Sequence, residues 1–300
     1  MARVSFAELI AGAERGGYAV GYFESWSLES LLAVADAAEA ARSPVILGFS
    51  GIYLPHPQRC RRDSLAPYAA MATAVAAALP VPACLLFNEC PNIQWVEDAI
   101  DVGFDLVMFS DDAMPSGDRV ATIRRIAERA HARGTAVEAE LDPLAGVGGD
   151  IGLGAAAADL RLTDPDKARA FIDRTGIDAL AVNVGQVHLH GRKPARLDLD
   201  RLRRLRELSC PLVLHGGSSL DAGDVRAAID IGVRKINIGS RLKQAYFNAL
   251  SEACAAAPAL ANPYEVIGSG LTNDVLMAGR LAMQRDIEGV MRLFGSAGKG

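Results

Sequence analysis

The sequence predicts an α/β protein, a single (β/α)8 TIM barrel with an extra C-terminal helix, from three observations. Short apolar runs typical of strands alternate with helix-like runs eight times along the chain. No segment has the composition of a linker, so one barrel over residues 1–300 fits the length better than two doubly wound domains. Alanine-rich helices and strands rich in Val, Ile and Leu are typical of helices packed on a buried parallel sheet.

The strand–helix units follow one another in a regular order. The predicted strands cover 18–23, 44–49, 82–87, 104–109, 135–141, 179–184, 211–214 and 234–238. The predicted helices cover 28–41, 64–78, 93–102, 117–133, 165–175, 200–208, 221–231 and 241–256, and the extra helix covers 273–294. The segment 142–163 is long and rich in Gly and Ala, which indicates either a mobile active-site loop or a surface loop without a role in the site.

Composition excludes several classes of function. The net charge of −5 and the pI of about 5.6 argue against a surface for nucleic acid or anionic membrane. No apolar run has the length of a membrane span, and the first residues lack the apolar region of a signal peptide. The five cysteines form no CxxC pair, which indicates reduced thiols. We therefore expect a cytoplasmic protein.

Polar side chains end seven of the eight predicted strands. The carboxyl ends of barrel strands meet at one face, which is where barrel enzymes build their sites. The residues are Ser50, Asn88, Glu89, Asp111, Asp112, Glu138, Glu140, His188, His215 and Asn237 to Ser240. Each residue alone is explained as well by a cap or a turn. Their concentration at one face favours a functional site.

Two histidines and one carboxylate in this set suit a metal ion. His188 and His215 follow the neighbouring strands six and seven, and Glu89 follows strand three. Neutral imidazole and carboxylate are preferred ligands of zinc, and a catalytic zinc has about three protein ligands. The alternative for each histidine is a hydrogen-bonded core residue. His190 competes with His188, because strand alternation places both on one face.

Two loops of small residues suit a phosphate group. They follow strands seven and eight, where barrels most often bind phosphate, and the second one opens a helix. The predicted contacts are Gly216, Gly217, Ser218, Asn237, Ile238, Gly239 and Ser240, with Arg192 closing over the anion. The alternative is ordinary turn chemistry, because Gly and Ser are common in loops between strands and helices.

Six segments also carry a resemblance to a known family. They lie at 18–23, 43–50, 137–141, 212–219, 235–242 and 293–299, and so extend over nearly the full chain. They resemble the class II, metal-dependent fructose-bisphosphate and tagatose-bisphosphate aldolases. The resemblance implies a barrel in homodimers or homotetramers, acting on a small phosphorylated sugar. A divalent metal would polarise the carbonyl of the ketose and stabilise the enediolate that forms when a C–C bond breaks.

The resemblance also assigns roles to residues of this chain. His188 and His215 match two zinc histidines, Ser50 matches a substrate-binding serine, and Arg192 takes the place of a lysine near the phosphate. Gly216 to Ser218 and Asn237 to Ser240 match the contacts of the phosphorylated ketose. Zinc is the expected metal, and Glu89 in place of a histidine favours Mn²⁺ or Mg²⁺ as alternatives.

The proton-transfer residues depart from the family pattern. The Asp-His pair after strand three is Asn88-Glu89, and an amide cannot exchange a proton as the catalytic aspartate does. The acidic residue of the loop after strand five is Gly148, the glycine after the metal histidine is Leu189, and the asparagine ending strand one is Glu24. The candidate catalytic residues are Asn88, Glu140, Asp111 and Asp112, with Glu24 a further possible replacement; the sequence does not choose among them.

The sequence favours the first of three functions, and the other two are alternatives. The first is a metal-dependent aldolase that cleaves a phosphorylated ketose or related sugar acid other than ordinary fructose bisphosphate. The second is a non-catalytic paralogue that binds sugar phosphates. The third is a metal-dependent isomerase or epimerase, because that chemistry uses the same enediolate without breaking a C–C bond.

Overall fold

The computed structural model describes residues 3–142, 161–186 and 196–300. Eight parallel strands form a closed barrel in which each strand pairs with the next along the chain and the last pairs with the first. The strands are β1 (Val20–Ser25), β2 (Val45–Ser50), β3 (Ala83–Cys90), β4 (Leu106–Phe109), β5 (Ala136–Glu140), β6 (Ala179–Ala181), β7 (Leu212–Leu214) and β8 (Val233–Ile238). The predicted (β/α)8 barrel is confirmed.

Helices surround this barrel in the predicted alternation. They are α1 (Phe6–Gly16), α2 (Leu28–Ala41), α3 (Leu65–Ala78), α4 (Ile93–Asp101), α5 (Ser116–His131), α6 (Pro165–Thr175), α7 (Leu199–Leu205), α8 (Ala222–Ile231), α9 (Ser240–Ala256), α10 (Pro263–Val266) and α11 (Val275–Leu293). The extra helix α11 packs outside the barrel on α2 and α9. The sequence reading missed α1, although Ser5 and Glu8 form a capping box at its start.

Local signals fix where the helices begin and end. Asp164 accepts hydrogen bonds from two backbone N–H groups at the start of α6, and Pro165 occupies the first helical position. Gly176 ends the same helix at φ 69°, a left-handed conformation that glycine adopts without a steric cost. The chain then turns directly into β6.

Strand alternation divides the core into two layers. Residues that point outward pack under the helices and form the larger apolar layer. Residues that point inward fill the lower part of the barrel, as Tyr22, Ile46 and Leu86 do. Gly48 is required in this layer because a Cβ there would overlap the backbone carbonyl of Leu86 on β3. Towards the carboxyl ends of the strands, polar side chains replace the inward apolar ones.

Two further expectations concern membrane-spanning helices and the state of the cysteines. Among the described helices, none has both the length and the apolar composition that crossing a bilayer requires. The cysteines are free thiols, with Cys84, Cys90 and Cys210 buried and Cys60 and Cys254 exposed. The buried three pack as small apolar groups, as the sequence predicts.

Candidate active site

The alternation of strand residues brings the polar groups of several strands together inside the barrel. Glu138 and Glu140 are alternate residues of β5, and Lys235 and Asn237 are alternate residues of β8. His215 directly follows β7. Each of these five side chains is almost completely buried. They face one another because parallel strands of a closed barrel point alternate residues at its axis.

Glu89 joins this group through an irregular backbone. It has φ 51°, a left-handed conformation that is uncommon for a residue with a side chain. The pairing of β3 with β4 shifts register between Phe87 and Cys90, around this residue. Asn88 and Glu89 therefore both lie in the buried interior, and Asn88 Nδ2 donates to Glu89 Oε2 at 2.7 Å. Backbone strain of this kind is concentrated at functional sites.

Six buried side chains then form a closed circuit of contacts, which we call the polar ring. Its members, in order of contact, are Asn88, Glu89, His215, Glu138, Lys235 and Asn237. They come from β3, β5, β8 and the residue after β7. The ring therefore ties together strands that are not neighbours in the barrel.

His215 is held between two carboxylates. Its Nδ1 lies 3.0 Å from Glu89 Oε1, and its Nε2 lies 2.7 Å from Glu138 Oε1. Burial alone lowers the pKa of His215, but the two carboxylates outweigh burial and raise it to about 10. Without a metal ion beside it, the imidazole of His215 is therefore protonated at neutral pH.

The second half of the ring contains a buried ion pair. Lys235 Nζ lies 2.8 Å from Glu138 Oε2 and donates to Asn237 Oδ1 at 2.6 Å. Asn237 Nδ2 closes the circuit with a long contact of 3.5 Å to Asn88 Oδ1. Burial raises the pKa of Glu138, but Lys235 and His215 outweigh burial and lower it below the ordinary value. The formal charges of the ring balance, with two carboxylates against one imidazolium and one ammonium.

The Glu89–His215 pair has the geometry of two ligands of one cation. Two ligands at about 2.1 Å from a tetrahedral zinc lie roughly 3.4 Å apart, and the observed separation of 3.0 Å needs only a small movement. Glu138 behind Nε2 matches the carboxylate that commonly orients a metal-binding histidine. Within the described residues, no cluster of three or more His, Cys, Asp or Glu side chains is arranged to hold a metal.

Glu140 lies one inward position beyond Glu138 on β5. It is buried, and Ser110 Oγ donates to its Oε1 at 2.7 Å. Burial raises the pKa of Glu140 to about 7, with Glu89 and Asp112 adding to the rise against the opposing effect of His215. A carboxyl group that titrates near neutral pH suits general acid–base catalysis.

The other sequence-predicted carboxylates lie in the loop after β4. Asp111 is half-buried, and its Oδ1 accepts from the backbone N–H of Ala113 at 3.0 Å, which is ordinary turn chemistry. Asp112 is exposed, and partial desolvation, together with Asp111 and Glu89, raises its pKa against the effect of Arg119. Asp111 and Asp112 are therefore both more exposed to solvent than Glu140.

The predicted phosphate loops lie on either side of the end of β8. Gly216 has φ 65° and starts a short 3₁₀ helix, Gly217–Ser219, which packs so closely on β8 that a Cβ at Gly217 would overlap Ile236. Gly239 and Ser240 open α9, whose first turn receives no side-chain cap from the described residues. Its first backbone N–H groups are thus available to an anion.

Ser50 lies at the carboxyl end of β2, paired in register with Asn88 of the polar ring. Its hydroxyl accepts from the backbone N–H of Ile52 at 3.3 Å and it is buried. The predicted metal ligand His188, its competitor His190, Arg192, and Gly148 of the long loop lie outside the described residues.

Sequence reasoning missed several residues of the site. It did not assign roles to Lys235, to Ser110, or to Lys243, which pairs with Glu24. Lys235 carried a usable signal, because a lysine two positions before Asn237 on the inward face of a buried strand requires a partner. Ser110 carried none, since a serine at a strand end is common.

The similarity to known proteins extends over nearly the whole chain. The family described as "Fructose-bisphosphate aldolase class-II" matches residues 4–299. A fructose-bisphosphate aldolase of Geobacillus stearothermophilus is 33% identical, covering 100% of this chain and 99% of the relative, and a sulfofructosephosphate aldolase of Alkalicoccus urumqiensis is 28% identical, covering 100% and 99%. The crystal structure of the YdjI aldolase from Escherichia coli K12 is similar at 28% identity and a TM-score of 0.81, covering 99% of each chain.

Proposed function

Because the chain belongs to the family of class II fructose-bisphosphate aldolases, we propose that it is a metal-dependent aldehyde-lyase that cleaves a phosphorylated ketose or related sugar acid. Relatives that are named aldolases support lyase chemistry. One observation carries the metal dependence: the buried Glu89–His215 pair, with Glu138 behind the imidazole. The substrate class and the metal are the parts that experiment must establish.

The metal ligands would be Glu89, His215 and His188. His215 would offer Nδ1, because Nε2 is committed to Glu138. Glu89 would offer Oε1, because Oε2 accepts from Asn88. When bound, a divalent metal, zinc or alternatively Mn²⁺ or Mg²⁺, acts as a Lewis acid on the substrate carbonyl. The contacts of the polar ring would hold Glu89 and His215 in position in the metal-free protein.

Glu140 is the proposed proton-transfer residue. Its carboxyl is buried on the inner face of β5 with a pKa of about 7, so it can both give and take a proton at neutral pH. Ser110 fixes the orientation of the carboxyl by donating to Oε1, which leaves Oε2 for the substrate. Asn88 donates to Glu89 and so positions a ligand, while Asp111 and Asp112 stay candidates on the loop above.

A phosphate group would bind between the two loops that flank β8. Gly216 and Ser218 would approach it from the β7 side, and the first N–H groups of α9 at Gly239 and Ser240 from the other. Gly217 packs against Ile236 of β8, Asn237 belongs to β8 itself, and Arg192 would supply the opposing cation. In this arrangement the phosphorylated end of the ketose would lie beside the polar ring.

The family resemblance supports a proposal on assembly and location. We propose a cytoplasmic homodimer or homotetramer. Support comes from large apolar side chains that are exposed near the C-terminal end of α9 and beyond it, Leu260 at 98% and Tyr264 at 86%. Exposed apolar surface of this kind is often covered by a second subunit. Mass measurement in solution determines the subunit number.

Steady-state assays with a panel of ketose phosphates test the function. The purified protein is assayed with and without a chelator, its metal content is measured, and the products are identified by NMR. We expect release of dihydroxyacetone phosphate and an aldehyde, lost with the chelator and restored by metal. An isomerised or epimerised ketose would replace this proposal with the isomerase. Binding without any turnover would replace it with the non-catalytic paralogue.

A further inference from the structure

A cavity with a mixed apolar and polar lining adjoins the polar ring at the ends of the first two strands. It has a volume of about 340 Å³, enough for a three- to six-carbon polyol chain, and we call it the β1–β2 cavity. Its lining includes Glu24, Ser25, Trp26, Ser50, Tyr53 and Lys243. Ser50 on β2 also pairs in register with Asn88 on β3, so these two neighbouring strands connect the cavity to the polar ring.

An ion pair forms the polar wall of this cavity. Lys243, in the first turns of α9, contacts the carboxylate of Glu24 at the end of β1. The Lys243 ammonium also lies 5.6 Å from the ring centre of Trp26 and 5.2 Å from that of Tyr53. The two aromatic rings and the carboxylate thus hold the ammonium in one place.

Glu24 also fills the space beside the start of α9. A Cβ built on Gly239 would overlap Oε2 of Glu24, so the carboxylate stands where a side chain at position 239 would lie. The proposed phosphate site lies between the loops after β7 and β8, whereas Glu24, at the end of β1, lies on the other side of β8 and against Gly239. An anion on the β1 side would therefore meet a resident carboxylate.

The rest of the lining combines the apolar side chains of Phe49 and Leu54 with a few further polar groups. Ser25 is 2% exposed, and its hydroxyl has no hydrogen-bond partner in the described parts of the chain. Arg59, a second cation of the lining, contacts Asp63, which Tyr68 also holds through a 2.9 Å hydrogen bond. Both cations of the described lining, Lys243 and Arg59, are therefore already paired with a carboxylate.

From these contacts we propose that the Glu24–Lys243 pair is a specificity determinant that selects a ketose monophosphate with a neutral, hydroxylated tail over a ketose bisphosphate. The inference rests on the proposed function, and it names the substrate class of that site. Paired Glu24 and Lys243 present an acceptor and a donor that suit neighbouring hydroxyls, and Ser25 adds a third polar contact. The dianion of a second phosphate would meet the Glu24 carboxylate, and both cations of the described lining are already paired with carboxylates.

Binding of two non-cleavable polyols tests the proposal apart from turnover. Mannitol 1-phosphate and mannitol 1,6-bisphosphate differ only in the second phosphate and carry no carbonyl to react. Calorimetry on the metal-loaded protein should give a Kd for the monophosphate that is about tenfold lower than for the bisphosphate. In Glu24→Gln, which frees Lys243, bisphosphate binding should strengthen by about tenfold with little change for the monophosphate.

Lys243→Gln should act in the opposite direction, because it leaves Glu24 uncompensated and weakens bisphosphate binding further. Glu128→Gln, at an exposed ion pair on α5, is the matched control and should leave the ratio unchanged. A purely structural role would alter both ligands alike in both variants. Equal or tighter bisphosphate binding in the wild type, or an unchanged ratio in Glu24→Gln, would overturn the proposal. Selective binding together with no cleavage of any ketose phosphate of the panel would uphold the selectivity and refute the lyase.

Discussion

Glu138 lies directly behind His215, with 2.7 Å between its Oε1 and Nε2 of the imidazole, while its other oxygen pairs with Lys235. One carboxylate thus orients the proposed metal ligand and neutralises a buried lysine at the same time. The two functions are separable, because each uses a different oxygen. Variants of Glu138 and Lys235 should therefore have different consequences.

Glu138→Gln should weaken metal binding. The amide can still accept from Nε2, but it loses the negative charge that makes the imidazole a stronger ligand. We expect affinity for zinc to fall by about tenfold to 100-fold, measured by competition with a chromophoric chelator. Glu128→Gln on α5 serves as the control. Unchanged affinity in Glu138→Gln would show that His215 does not bind the metal through Nδ1.

Lys235→Met should destabilise the fold strongly. Lys235 and Glu138 are both fully buried, so loss of the ammonium leaves a carboxylate without its main counter-charge. We expect the free energy of unfolding to fall by about 3–5 kcal/mol in urea titrations. Lys299→Met, an exposed lysine near the C-terminus, should change it by less than about 0.5 kcal/mol.

The double variant Glu138→Gln, Lys235→Met supplies the internal check on the ion pair. Since it removes both charges, its loss of stability should be smaller than the sum of the two single losses. Additive losses would mean that the two side chains do not interact in solution.

Glu140 should make the metal-free protein less stable as the pH rises. Its pKa is raised from 4.5 to about 7 on folding, so the folded state binds the proton more tightly than the unfolded state. The stabilisation is complete below about pH 4.5 and is lost as the pH rises towards 7, a change of order 3 kcal/mol. In Glu140→Gln this component of the pH dependence should disappear from urea titrations at pH 5 and pH 8. An identical pH dependence in both proteins would place Glu140 in solvent.

Gly48→Ala should prevent close pairing of β2 with β3. The added methyl group would overlap the carbonyl of Leu86, which is backbone and cannot turn aside. We expect a loss of several kcal/mol or failure to fold, seen in thermal unfolding. Gly117→Ala, in α5 with open space around its Cβ position, is the control and should be neutral or slightly stabilising. Equal stability of the two variants would contradict the strand packing.

The barrel itself could be read from the sequence, because its signal is repeated eight times. A buried parallel strand needs an uninterrupted apolar run, and each run is followed by a loop and a helix-like stretch. The extra helix α11, which follows the eight units, was predicted as well. Helix α1 precedes the first strand and was missed, although the capping box of Ser5 and Glu8 was a signal for it.

The sequence indicated residues of the candidate site but not the contacts between them. Strand ends indicated Glu89, His215 and Glu140, since parallel strands carry their last residues to one face. The ring depends on the left-handed backbone of Glu89 and on long-range contacts such as His215 with Glu138. Neither follows from residue spacing, because tertiary packing decides both.

Anomalous diffraction from crystals soaked in zinc or manganese tests the shared cation most directly. If Glu89 and His215 are two ligands of one metal, a single peak should lie about 2.0–2.2 Å from His215 Nδ1 and from Glu89 Oε1. Glu138 should remain hydrogen-bonded to Nε2 in the same map. A peak elsewhere in the molecule, with these two side chains still in direct contact, would contradict the proposed metal centre.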